Sequence, residues 1–141
     1  MNRQILCGGI AAFAILAASA ALAQEMKMKA DLTGAQEVPP VTTQGKGSAE
    51  VNFEPASKKL SWTVTYSGLS GPPTAAHFHG PAEAGKNAGV AVPIPNQANS
   101  PVTGSATLTD AQAADLQAGR YYVNIHTAAN PSGEIRGQVT K

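Results

Sequence analysis

A chain of 141 residues with 43% hydrophobic and 13% charged content is one domain's worth of sequence and lacks the composition of a disordered tail. Ten Lys and Arg against nine Asp and Glu give a near-neutral balance, which argues against a nucleic-acid binder because that role needs a basic surface. The one cysteine, Cys7, falls in the leader, so the remaining chain has no disulfide, thiolate nucleophile or Cys-ligated metal site.

Met1 to Ala23 reads as a secretory signal. Arg3 supplies the positive n-region, Ile10 to Leu22 the apolar h-region, and Ala21-Leu22-Ala23 a small-residue cleavage site. No stop-transfer charges follow, so the expectation is a cleaved leader, a periplasmic or secreted domain over residues 24–141, and no membrane association afterwards. Cys7 precedes the h-region, the wrong side for lipidation.

Period-2 alternation then begins. Met26, Met28, Ala30 and Leu32 alternate with Lys27, Lys29, Asp31 and Thr33, the pattern of a half-buried strand, and same-face methionines there read as core. Ala49, Val51 and Phe53 repeat the pattern, as do Leu60, Trp62, Val64 and Tyr66, with Glu54-Pro55-Ala56-Ser57 as the hairpin turn between them. Further strands are expected at Thr74 to His79, Val90 to Ile94, Gly104 to Leu108, Arg120 to Thr127 and Glu134 to Thr140. Thr109-Asp110-Ala111-Gln112 has the form of a capping box, with an Ala-rich run to Ala118 and Gly119 at the stop, which predicts one short connecting helix. The expected fold is all-β: an antiparallel, Greek-key-like sandwich or barrel of about eight strands. The loops Gly34 to Gly45, Ser67 to Pro73, Gly80 to Gly89 and Pro93 to Pro101 read as surface excursions.

Chemistry concentrates in three histidines. In His77-Phe78-His79 the two imidazoles share one strand face while Phe78 packs on the other. His126 shares the polar face of its strand with Tyr122 and Asn124, opposite Tyr121, Val123 and Ile125. If the two strands meet at one end of the fold, three neutral imidazoles converge on one ion, a ligand type suited to copper, with zinc as the alternative. Tyr122 and Asn124 are then candidate partners fixing an imidazole. Other chemistries lack support. No G-x-S-x-G elbow accompanies the serines, Gly68 to Gly71 lacks a phosphate-loop lysine, and Glu25, Glu37 and Glu83 read as unpaired loop carboxylates.

The stretches Leu32 to Pro40, Ala76-His77-Phe78-His79-Gly80-Pro81-Ala82 and Tyr122 to Gln138 resemble the bacterial CHRD domain, named after a repeat in chordin, over nearly the whole of residues 24–141. This resemblance implies a secreted antiparallel β domain and says little about activity. The site is similar to the copper half of copper/zinc superoxide dismutases. That similarity implies His77, His79 and His126 as copper ligands and Arg136 as the residue that guides the superoxide anion by charge. A surface ion pair with Glu134 is the alternative for Arg136. There is no fourth histidine to bridge to zinc, no zinc cluster and no disulfide, so such an enzyme would be copper-only. Two other readings compete with a copper-dependent dismutase: a copper carrier or store with a closed Cu(I) site, and a metal-free adhesion or protein-binding module.

Overall fold

In the computed structural model, which describes residues 24–141, the alternating segments become eight strands. They are β1 (Met26–Thr33), β2 (Lys46–Glu54), β3 (Lys59–Ser67), β4 (Pro73–His79), β5 (Val90–Pro93), β6 (Val102–Thr107), β7 (Tyr122–Thr127) and β8 (Ile135–Gln138). Residues 1–23, expected to be a leader and containing Arg3 and Cys7, lie outside the described residues. All pairings are antiparallel, in one sheet of order β5-β4-β7-β8-β1-β2-β3-β6 that curls into a nearly closed barrel. β1, β2 and β3 form a meander, whereas β7 inserts between β4 and β8. That insertion makes neighbours of two segments far apart in sequence. Among the described residues, no helix is long and apolar enough to cross a membrane.

One face of every long strand points into the barrel. Leu32, Phe53, Leu60, Val64, Phe78, Val123, Ile125 and Ile135 are buried there, and Trp62 meets Phe78 edge-to-face at 5.3 Å between ring centres. Met28 belongs to this core and Met26 packs against it. A helix, α1 (Asp110–Gln117), carries the capping box: Thr109 Oγ1 accepts from the Gln112 N–H at 3.1 Å and Gln112 Oε1 from the Thr109 N–H at 3.0 Å. Leu116 and Ala113 are its buried residues, and Gly119 follows at φ +75°, a left-handed turn that glycine enters without steric cost.

β8 is shorter than the alternation of Glu134 to Thr140 implies, because the chain changes partner at its end. Val139 donates to the Tyr121 carbonyl at 2.9 Å, and Thr140 bridges to Lys29 on β1. At its start, the Glu134 side chain turns away to bind loops.

The opposite, outward face of β4, β7 and β8 is where the functional candidates fall. Two loops cover it: residues 34–45, which open with a 3-10 turn (Gly34–Gln36), and residues 80–89. Asn87 Nδ2 donates to the Val38 carbonyl at 3.2 Å and joins the two loops. The residues beneath are therefore buried despite their polarity: Asn124 and Arg136 are each 3% exposed.

Candidate metal centre

Sheet register assembles the histidines. On β4 and β7, His79 pairs with Tyr122, His77 with Asn124, and Ala75 with His126. His126 thus lies diagonally across from His77 on the same face, within reach of a long side chain, and small Ala75 opposite it leaves room. Ring centres are 5.4 Å apart for His77 and His79, 5.1 Å for His77 and His126, and 5.9 Å for His79 and His126. Each ring offers one nitrogen, and these three atoms lie within 4.8 Å of one another. The meeting point is the outer wall of the barrel, on adjacent hydrogen-bonded strands, instead of an end where separate sheets meet.

Two backbone carbonyls set the tautomers. His79 Nδ1 lies 3.0 Å from the Ala88 carbonyl and His126 Nδ1 lies 2.9 Å from the Pro131 carbonyl. A carbonyl only accepts, so each Nδ1 carries the proton and each Nε2 keeps a lone pair. His126 Nε2 sits 3.2 Å from His77 Nδ1. Two nitrogens bound to one ion at 2.0–2.1 Å and a tetrahedral angle are separated by about 3.3 Å, so this spacing fits a shared ion. His79 Nε2 is buried without a hydrogen-bond partner, an arrangement that an ion would satisfy.

Electrostatics favours neutral rings. Burial lowers the His77 pKa, helped by the charge of His126. Burial also lowers that of His79; the Ala88 hydrogen bond opposes this, while His77, His126 and Arg136 add to it. Neutral imidazoles are the ligand form.

Tyr122 lies flat on His79, with ring centres 4.9 Å apart and planes 3° from parallel. Its hydroxyl bonds both the N–H and the carbonyl of Ala88, at 3.1 Å each, and so braces the carbonyl that orients His79. The Arg136 guanidinium stacks on the other side of Tyr122, 3.5 Å from the ring centre. It donates to Asn87 Oδ1 at 2.7 Å and to the Lys86 carbonyl. Arg136 therefore stands behind Tyr122, out of contact with the histidine nitrogens, although its charge is felt at His79.

The alternative ion pair between Arg136 and Glu134 does not form. Glu134 is fully buried and accepts from Ser70, Thr127, Thr43 and Asn130, which ties three loops to the start of β8. Burial alone would raise its pKa, but the hydrogen bonds from the Ser70 hydroxyl and N–H, Thr127 and Thr43 outweigh it and hold the carboxyl down at about 2.

Asn124 is not bonded to a histidine. Its Nδ2 donates to the Ile135 carbonyl at 3.1 Å and to Glu37 Oε1. Sequence reasoning missed Glu37, which reads as an unpaired loop carboxylate but is only 6% exposed in the fold. Burial pushes its pKa up to about 7, against the Asn124 hydrogen bond and the charge of Arg136. Gly133, at φ +123°, leaves the space for this contact, since a Cβ there would come within 2.5 Å of Glu37 Oε1. The only sequence signal was position: Glu37 belongs to the Leu32-to-Pro40 motif. The Ala88 and Pro131 carbonyls carry no side-chain signal at all.

The family model of the CHRD domain matches residues 28–139. No curated protein and no solved structure matches the chain significantly.

Proposed function

The chain belongs to the CHRD domain family, and from its histidine centre we propose that it is a periplasmic or secreted copper protein that dismutes superoxide. The observation that carries this reading is the pair of carbonyl contacts, Ala88 to His79 and Pro131 to His126, which leave Nε2 as the lone-pair atom of both rings, in a cluster whose ligand atoms lie within 4.8 Å of one another. No carboxylate belongs to the cluster, and an all-imidazole set suits copper, which also stands above zinc in affinity for nitrogen sites.

His77, His79 and His126 hold the ion. Bound copper supplies one-electron chemistry, because three neutral imidazoles tolerate both Cu(I) and Cu(II). His77 and His126 are half-buried, which favours an open position facing solvent over the sealed site of a store. Tyr122 keeps His79 oriented through Ala88. Arg136 contributes positive potential that draws the anion in and secures the 80–89 loop through Lys86 and Asn87.

Stopped-flow superoxide decay with the copper-loaded protein tests this function. The rate is expected to exceed that of the His77→Ala, His79→Ala double variant by at least a hundredfold; equal rates would reject dismutation and leave a carrier or a binding module.

A further inference from the structure

Asn124 stands at the centre of a cross on the outer sheet face. His77 lies opposite it on β4 and Arg136 opposite it on β8, while Tyr122 and His126 flank it along β7. Glu37 descends onto this centre from the 34–45 loop, its carboxyl held by Asn124 Nδ2. A cleft of about 280 Å³ runs beside it, lined by Glu37, His79, Asn124, Tyr122, Asn87 and Arg136. A buried carboxyl thus lines one cleft with His79 of the histidine centre and with the Arg136 guanidinium. None of the architecture explains it, since Glu134 already ties the loops and Asn87 joins the two that cover the site.

We propose that Glu37 is the proton-holding group of the histidine centre, delivering a proton through the cleft to an oxygen anion reduced there. This rests on the superoxide reading above. Reduction of superoxide to hydrogen peroxide takes one electron, which copper held by His77, His79 and His126 would supply after accepting it from another superoxide, and two protons; Glu37 supplies one and water the other. Asn124 from β7 donates to Glu37, the Arg136 charge from β8 acts on it, and His79 from β4 lines the same cleft. Burial outweighs the Arg136 charge and the Asn124 hydrogen bond, so the carboxyl keeps its proton up to about pH 7. A group poised near the working pH is suited to giving and regaining a proton.

The test uses ¹³C-carboxyl NMR of glutamate-labelled protein, copper content, and superoxide decay from pH 5 to 9. These are compared between the wild type and Glu37→Gln, in which the amide oxygen still accepts from Asn124. One carboxyl titrating near pH 7 in the wild type and missing from the variant is expected, with equal copper in both. The wild-type rate should fall above pH 7, while the variant is at least tenfold slower and flat with pH. No carboxyl titrating above pH 6, or an unchanged rate profile in the copper-replete variant, would overturn the proposal. Failure of both proteins to take up copper would overturn the metal reading and this one with it, and the wild-type carboxyl titration would show that the protein was folded. Should Glu37→Gln not fold, Glu37→Asp, with its carboxyl withdrawn by one methylene, should bind copper and shift the pH midpoint of the rate; an unmoved midpoint counts against the proposal.

Discussion

The Ala88 carbonyl accepts from His79 Nδ1 at 3.0 Å, and the same residue is clasped by the Tyr122 hydroxyl that lies beside the ring it orients. One loop residue and one strand residue together fix the tautomer of the most buried histidine. Tyr122→Phe keeps the ring stack on His79 and removes only the clasp. Copper affinity should fall about tenfold, as for other residues that orient a ligand, and stability by about 1 kcal/mol. Competition titration against a chromogenic chelator and thermal melts read the two effects.

Arg136→Ala should leave copper bound but slow superoxide decay and flatten its dependence on ionic strength, because the steering charge is gone. It also removes the cation over Tyr122 and two hydrogen bonds to the 80–89 loop. A stability loss of about 2 kcal/mol should accompany it. Arg136→Lys restores the charge without the fork, so recovery of the salt dependence but not of the melting temperature separates the two roles.

Two carboxyls give the metal-free protein opposite pH slopes. Glu134 is held at about 2 against an ordinary 4.5, so its stabilisation is complete above pH 4.5 and is lost as the pH falls toward 2. Glu37 is raised to about 7, so its contribution is complete below pH 4.5 and is lost as the pH rises through 7. His77 and His79, with pKa values lowered by burial, make stability rise with pH toward 6.5 and oppose the Glu37 slope, so in urea unfolding Glu37→Gln should be more stable relative to the wild type at pH 7 than at pH 5. Glu134→Gln puts an amide donor among four residues that donate to it, and should cost about 2–3 kcal/mol at pH 7.

Gly133→Ala should destabilise the fold by about 1–3 kcal/mol, since φ +123° is strained for any side chain and the added methyl meets Glu37 and Asn124. Its NMR signature is a displaced Asn124 side-chain amide. Gly85→Ala, also at positive φ but with no atom within 4 Å of the new methyl, is the control: it carries the backbone strain and leaves the Asn124 amide where it was.

The barrel was readable because each long strand buries one face, so Leu32, Phe53, Trp62 and Phe78 recur at period two, and because Thr109 and Gln112 form a local capping signal. His77 and His79 were readable for the same reason: i and i+2 share a face whatever the fold. The pairing of His126 with them depended on β7 entering between β4 and β8, which no local pattern dictates. Tyr122, Asn124 and Arg136 alternate like solvent-facing residues, yet two loops roof them, and alternation reports only which face a residue occupies, not what later covers it. Glu37, Ala88 and Pro131 belong to those roofs. Their roles come from loop paths set by Gly133 and by Asn87 meeting Val38, contacts far apart in sequence.

The most direct measurement is the electron paramagnetic resonance spectrum of the purified domain with one equivalent of Cu(II), alongside metal content by mass spectrometry. Three converging imidazoles predict stoichiometric copper with nitrogen hyperfine structure, lost in His126→Ala while the fold persists. Copper that is absent, substoichiometric, or bound identically without His126 would contradict a three-histidine centre.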